Sequence, residues 1–431
     1  MMMIHTTELY SLFLQHPTVT TDSRNCPEGS LFFALKGDRF DGNKFAQKAL
    51  DAGCSYAVID NPDFACGERT LLVDDVLKSL QQLARLHREK LGLPVIGITG
   101  TNGKTTTKEL IAAVLSSAYP IEYTRGNLNN SIGVPLSVLK LNRSHQMAVI
   151  EMGASHPGDI KELVEIARPN YGVITNIGRA HLEGFGSYGN IIRTKGELYD
   201  FLKENGGEIF IHREDDVLQK IAGHLPQISY GESDDDFVCG QVVSCDPFLS
   251  LEWKEKGKST AIHTHLIGAY NLMNVLAAIA VGRTFHVPDE KIIAAIQSYA
   301  PSNNRSQMTD TAHNSLIIDA YNANPSSMKV ALDSFASMKT GPKAVILGDM
   351  KELGPTSDAL HAEVLHEAEA GGFDRLIFCG ENFVRVVNGK YPAFPDTAAL
   401  QIYLKENPLE GYHILLKASH SMGFEGLKEW L

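Results

Sequence analysis

The 431-residue chain is too long for one ordinary domain, since domains run to roughly 100–200 residues. Its 43% hydrophobic and 21% charged residues exclude intrinsic disorder. A formal net charge of −12 excludes a broad basic face for nucleic acid, yet it leaves room for an anionic ligand held by one local loop. Six cysteines (Cys26, Cys54, Cys66, Cys239, Cys245 and Cys379) show neither a C-x-x-C pair nor zinc-ligand spacing, and read as small buried hydrophobes of a reducing compartment. The first basic residue is Arg24, and the apolar stretch at 9–14 is too short for a signal segment. No run approaches the ~18 apolar residues of a membrane span. A cytoplasmic protein without membrane insertion is therefore expected.

Residues 1–90 mix strand-like runs at 31–35, 56–59 and 71–73 with turns. They close on a helical pattern at 77–91, where Leu77, Leu80, Leu83, Ala84 and Leu91 fall near one face. Gly92 and Pro94 punctuate it. An apolar run at 95–99, a glycine turn and a helix-like stretch at 107–117 then give strand, loop, helix, the opening of a parallel α/β unit. Further buried strands are expected at 147–151, 172–175 and 208–212, with helices between them. The alternation at 237–265 predicts an antiparallel β extension, and 271–281 a strongly apolar helix. A polar turn cluster at 301–304 marks a second boundary. Beyond it, strands at 316–319, 344–347, 375–379 and 413–417 alternate with helices at 326–336, 358–370 and 397–406. The chain so divides into 1–92, 93–301 and 302–431.

The most informative segment is Gly97-Ile-Thr-Gly100-Thr101-Asn102-Gly103-Lys104-Thr105-Thr106, between a strand and a helix. Glycines let such a loop turn its N–H groups onto phosphate oxygens, the helix N-terminus favours an anion, Lys104 adds charge, and the Thr105 hydroxyl can ligate Mg²⁺. The match to G-x-x-x-x-G-K-[ST] is imperfect, because Ile98 stands where the first glycine belongs. Downstream, Met147-Ala-Val-Ile-Glu151 is an apolar strand ending in a carboxylate, and Thr175 to Gly184, with His181, follows another strand. Both lie at the carboxyl edge, where open α/β sheets bind ligands.

Other strings extend the pattern: Thr21-Asp22-Ser23-Arg24, Leu31 to Gly42, Gly126-Asn127-Leu-Asn-Asn130, Glu151-Met-Gly153, Lys195-Gly-Glu197, Asn271-Leu-Met-Asn274, Asp319-Ala-Tyr-Asn322-Ala-Asn324-Pro325 and Leu347-Gly-Asp-Met-Lys-Glu-Leu-Gly354. Together they resemble the Mur ligase family, the ATP-dependent amino-acid and peptide ligases of bacterial cell-wall synthesis, over nearly the whole chain. The Tyr-Asn-Ala-Asn-Pro and Leu-Gly-Asp-Met-x-Glu-Leu-Gly strings resemble most the branch that adds D-alanyl-D-alanine to UDP-N-acetylmuramoyl-tripeptide.

The resemblance implies an α/β protein of three domains. A small N-terminal α/β domain would hold the UDP-sugar precursor through Asp22, Ser23, Arg24, Lys36, Gly37 and Arg39. A central P-loop parallel-sheet domain with an antiparallel extension would bind ATP through residues 100–106, with Asn271 and Asn274 toward adenine. A C-terminal Rossmann-like domain would close on it, bringing Arg305 and Asp319 to the nucleotide and Asn322 and Asn324 to the dipeptide. Asn127 and Asn130 would line the passage of the substrate peptide. Thr105, Glu151, His181 and Lys195 would hold Mg²⁺ at two sites, Lys195 as a carbamate made with CO₂. The expected protein is a monomeric ADP-forming ligase of peptidoglycan synthesis, acting in cell shape and division. Two departures stand out: Ser131 occupies a position commonly acidic in the branch, and in Lys417-Ala418-Ser-His420 the family's glycine and arginine are replaced. On the residues alone, a folate- or single-amino-acid-adding relative and a non-catalytic nucleotide module stay open. A GTPase would need an Asn-Lys-x-Asp string, which this sequence lacks.

Overall fold

Three main sheets follow one another along the chain, each built from one of the sequence patterns above, and a two-stranded antiparallel ribbon pairs Lys36–Gly37 with Phe40–Asp41. A computed structural model describes residues 3–37, 40–255, 257–301 and 305–431. Arg39 and most of the turn cluster at 301–304 lie outside the described residues.

The N-terminal sheet runs in the order Val19–Thr20, Leu31–Phe33, Tyr56–Ile59, Thr70–Leu72, all parallel. One face is closed by Phe32, Ala34, Ala49, Leu50 and Ala57. The other meets the helix Val76–Leu91, which is capped by the Asp75 side chain on the Lys78 N–H and ended by Gly92 at φ 66°. Leu80, Leu83 and Ala84 of that helix share one core with Val134, Val138, Leu163 and Val164 of the next unit. Arg88 ties the same seam, donating to the carbonyls of Ala167 (3.1 Å) and Arg168 (3.0 Å) and to Asn170 Oδ1 (2.9 Å). The first ninety residues also contain a helix, Thr6–Gln15, that the strand-and-turn reading missed. Only Leu9 and Phe13 of this short helix are fully buried, with Tyr10 packed beside them, and tertiary packing holds it as a helix.

The central sheet has nine strands, ordered Lys258–Ile267, Phe248–Glu255, Val238–Cys245, Gln227–Gly231, Glu208–His212, Tyr171–Ile174, Val95–Thr99, Met147–Glu151, Ile121–Tyr123. The first three form the expected antiparallel extension, and Val238–Cys245 joins the rest in parallel. Val95–Thr99 and Met147–Glu151 are buried at every position, which is why they read as continuous apolar runs. The helix Asn271–Thr284 is buried nearly all round and lies against the helix Lys104–Ser116. Gly282 permits that approach, since a Cβ there would sit 2.6 Å from Val114 Cγ1.

The C-terminal sheet runs Gln307–Asp310, Ser315–Asp319, His413–Lys417, Lys343–Gly348, Arg375–Cys379, Ala393–Phe394, parallel except for its first edge strand. Helices cover both faces, as in Rossmann-like folds. No helix among the described residues is long and apolar enough to cross a membrane.

Candidate active site

Val95–Thr99 passes into the glycine loop at Gly100, whose φ is 143°. A Cβ there would lie 2.0 Å from Thr175 Oγ1, so only glycine lets the loop pass the end of the neighbouring strand. The first glycine of the motif is therefore Gly100, displaced by two positions: Ile98 is still inside the strand. Gly103, at φ 79°, starts the helix Lys104–Ser116 with no side chain capping it, which leaves the first N–H groups free for an anion. The loop is clamped to the segment after the next strand. Asn102 N–H donates to Asn176 Oδ1 (3.1 Å), Thr175 Oγ1 and Asn176 Nδ2 donate to the Asn102 carbonyl (2.6 and 3.0 Å), and Thr101 exchanges hydrogen bonds with Gly178 (2.9 and 3.2 Å). Lys104 folds back over the loop, its Nζ donating to the carbonyls of Gly100 (2.9 Å) and Thr101 (3.0 Å). Desolvation pushes its ammonium down to about 8, against the attraction of Glu151 and with the help of Arg305.

Glu151, 1% exposed at the end of its strand, accepts from Thr105 Oγ1 (3.0 Å) and from Asn129 Nδ2 (2.8 Å). A hydroxyl and a carboxylate meeting at this distance are hard oxygen donors of the kind Mg²⁺ takes. Asn129 was not singled out from the sequence, where it lies between the two asparagines that were. Asn130 and Ser131 line the same cavity, whereas Asn127 is exposed and does not. Asn130 Oδ1 also accepts the Gly133 N–H (2.8 Å) at the start of the helix Gly133–Val138.

The cavity, about 910 Å³, is lined by residues 101–106, Glu151, His181, Asn271 and Asn274 from the central domain, and by Arg305, Asp319, Asn322, Lys417 and His420 from the C-terminal one. Several bonds close the two across it. His181 Nδ1 meets Glu352 Oε2, both residues lying at positive φ, 51° and 60°; the Glu183 N–H donates to the Glu352 carbonyl (3.1 Å), and Tyr270 OH lies 2.8 Å from Ser306 Oγ. Asn324 does not line the cavity: its Nδ2 donates to Asn102 Oδ1 (2.9 Å) and its Oδ1 caps the helix Pro325–Ser337. Asn271 and Asn274 reach the cavity, but their amides are largely engaged in a chain from Thr107 Oγ1 to Asn274 (3.0 Å), on to Asn271 (2.8 Å) and to the Ile267 carbonyl (2.9 Å). Asp319 is paired with Lys417 at 2.5 Å. Arg305 stacks 3.7 Å over the Tyr321 ring, which in turn stacks on His420, and the Arg305 Nε has no partner among the described residues.

Lys195 is 3% exposed, and no hydrogen bond or ion pair holds it among the described residues. Burial depresses its ammonium well below the usual lysine range, neighbouring Lys104 adds to this, and Asp159 opposes. It does not line the cavity. Among the described residues no three His, Cys, Asp or Glu side chains come together as a metal cluster, and the carboxylate bonded to Thr105 is Glu151. The described N-terminal candidates lie apart from this cavity. Arg24 grips Asp22 through Nε and a terminal nitrogen (2.9 and 2.8 Å), and these bonds hold the carboxyl down at about 2. Ser23 sits in the turn between them. Lys36 pairs with Asp60 (2.7 Å), and Gly37 lies under the Phe40 ring.

Three family models match in series: the Mur ligase family catalytic domain over 17–88, the Mur ligase middle domain over 98–282, and the Mur ligase glutamate ligase domain over 304–404. The chain is 36% identical to the UDP-N-acetylmuramoyl-tripeptide–D-alanyl-D-alanine ligase of Bacillus subtilis, over 94% of this chain and 91% of that one. It is 34% identical to the Escherichia coli enzyme of the same name, over 97% and 94%. Among solved structures, MurF of Acinetobacter baumannii superposes with a TM-score of 0.87 at 31% identity, over 96% and 92% of the two chains. The MurF ligase of Thermotoga maritima in complex with ADP gives 0.85 at 27%, over 97% of each. With its own phosphate loop, carboxylate-ended strand and closing C-terminal sheet in matching order, the chain belongs to the Mur ligase family.

Proposed function

We propose that the protein is an ATP-dependent, ADP-forming ligase that joins D-alanyl-D-alanine to UDP-N-acetylmuramoyl-tripeptide, making the pentapeptide precursor of peptidoglycan. The observation that carries this reading is the cavity itself: a phosphate loop with Lys104, Thr105 and Glu151 as its floor, and basic and amide groups of a second sheet, Arg305, Lys417 and Asn322, as its roof. That arrangement suits a reaction in which two anions must meet.

In the first step the terminal carboxylate of the tripeptide attacks the γ-phosphorus of ATP, the bond to the β-phosphate oxygen breaks, and an acyl phosphate and ADP result. The uncapped helix start at Gly103 and Lys104 receive the phosphates, Lys104 exchanging its two loop carbonyls for phosphate oxygens. Arg305 and Asp319 reach the nucleotide from the roof, while Asn271 and Asn274 keep the helix beside the base in place. In the second step the dipeptide amine attacks the acyl carbon, loses a proton, and phosphate leaves. Asn130 guides the peptide, with Asn127 at its approach, and Asn322 faces the incoming dipeptide. Asn324, whose amide is spent on Asn102, acts on the loop instead. No protein nucleophile is required, so positioning and charge neutralisation supply the rate. Thr105, Glu151 and His181 would hold magnesium, which when bound offsets the charge of the transferring phosphoryl group. Lys195, buried with a depressed ammonium, is suited to add CO₂ as the neutral amine, lose a proton and become an N-carboxylate, a further anionic oxygen donor for the metal. Asp22, Ser23, Arg24, Lys36, Gly37 and Arg39 hold the UDP-sugar end. The proposed state is a cytoplasmic monomer, and the six unpaired cysteines suit a reducing compartment.

The test is phosphate release from ATP with UDP-N-acetylmuramoyl-tripeptide, with and without D-alanyl-D-alanine, with the product weighed by mass spectrometry. The expected product gains one dipeptide. Turnover with a single amino acid but not with the dipeptide would overturn the assignment.

A further inference from the structure

The helix that carries Lys104 carries a second lysine one turn on, and no step above uses it. Lys108 is fully buried. Its Nζ donates to the Thr124 carbonyl (2.8 Å), lies 2.8 Å from Glu109 Oε1 and stands 3.9 Å from Glu151 Oε2. Thr124 binds both partners, because its hydroxyl accepts the Glu151 N–H (3.0 Å) while its carbonyl takes Lys108. Thr105 and Asn129 meet the same carboxylate from the cavity side, which they line; Lys108 does not line the cavity and approaches from behind. A carboxylate 1% exposed is costly unless hydrogen-bonded and matched by a nearby cation. Glu109 gives Lys108 a second anionic partner, so the lysine is anchored independently of Glu151.

We propose that Lys108 is a positioning residue, its ammonium behind Glu151 fixing that carboxylate against Thr105 so that a divalent cation meets a preformed ligand. This rests on reading the cavity as a magnesium-nucleotide site. The alternative is a lysine that merely ties the helix to the strand edge through Thr124.

The experiment uses the full-length protein with Mn²⁺ as the probe, titrated by electron paramagnetic resonance in the presence of ADP. Binding of a fluorescent ADP analogue in EDTA and the urea midpoint are measured alongside. Lys108→Met and the polar Lys108→Gln should weaken Mn²⁺ binding about tenfold, the scale of lost outer-shell contacts, while metal-free nucleotide binding stays within about twofold. Lys108→Arg should restore most of the affinity, and Glu109→Gln should leave it unchanged. Wild-type Mn²⁺ affinity in a folded Met or Gln variant overturns the proposal. So does loss of metal-free nucleotide binding in parallel with the metal, the signature of a structural role. Failure of the wild type itself to bind Mn²⁺ with ADP would instead overturn the reading of the cavity, and this proposal with it.

Discussion

Asn324 gives a quantitative test of how the C-terminal domain acts on the phosphate loop. Its amide nitrogen donates to Asn102 Oδ1 at 2.9 Å across the domain boundary, while its oxygen accepts the Ser327 N–H at 2.9 Å as a helix cap. The cap and the cross-domain bond are each worth about 1 kcal/mol, and two substitutions separate them. Serine caps as well as asparagine but is too short to reach Asn102. Asn324→Ser should therefore leave thermal stability nearly unchanged and lower kcat/KM for ATP about fivefold, the equivalent of ~1 kcal/mol. Asn324→Ala should show the same kinetic loss and, without its cap, a melting temperature lower by roughly 2–4 °C. The assay is steady-state phosphate release with ATP varied, beside thermal unfolding monitored by circular dichroism. A double-mutant cycle with Asn102→Ala isolates the bond, with an expected coupling of about 1 kcal/mol. An additive cycle, or unchanged kcat/KM in Asn324→Ser, would refute the idea that this contact transmits closure to the loop.

Lys104→Ala should cut ligation by about 10²-fold or more while leaving the unfolding midpoint close to wild type; near-normal turnover would contradict the role given to the loop. Desolvation holds the Lys104 ammonium down to about 8, below the ordinary lysine value of 10.5 that the unfolded chain keeps. Its burial thus costs stability below pH 8, a cost that fades as pH rises toward 10.5. Since phosphate needs the ammonium, ADP binding above pH 8 should take up a proton, which calorimetry in buffers of different ionisation enthalpy would detect; buffer-independent heats would count against it. Lys195→Ala should lose activity and regain part of it with short carboxylic acids, and ¹³CO₂-equilibrated wild type should show a carbamate resonance; neither effect would be seen if the free amine is the working form. Arg88→Met removes the donor to two carbonyls and Asn170 Oδ1 at the seam between the N-terminal and central domains; Asn170 Oδ1 keeps the Val95 N–H, but the buried Ala167 carbonyl is left unpaired at about 1–3 kcal/mol. Denaturant unfolding should move down accordingly, with ATP binding retained after refolding; an unchanged midpoint would show that the apolar seam alone suffices.

What was legible in the sequence was what local chemistry and periodicity encode. The strands Val95–Thr99, Met147–Glu151 and Glu208–His212 announce themselves because the stretch of a parallel strand covered on both faces is a continuous apolar run. Gly100, Gly103, Lys104 and Thr105 are legible because only such residues make a loop that turns its N–H groups outward. The helix Val76–Leu91 shows its apolar face and its Gly92 stop in the chain itself, although its burial against two domains at once does not follow from its own pattern. The tertiary structure alone decided which distant groups meet. His181 faces Glu352, 171 residues away, and Asn324 reaches Asn102 across 222. Asn129 and Lys108 complete the surroundings of Glu151, and Asn271 and Asn274 spend most of their amide capacity on each other and on the backbone. Hydrophobic period reports how a segment is buried, but a polar side chain's partner is set by sheet order and domain closure. Neither of those is written within one turn or one strand of the chain.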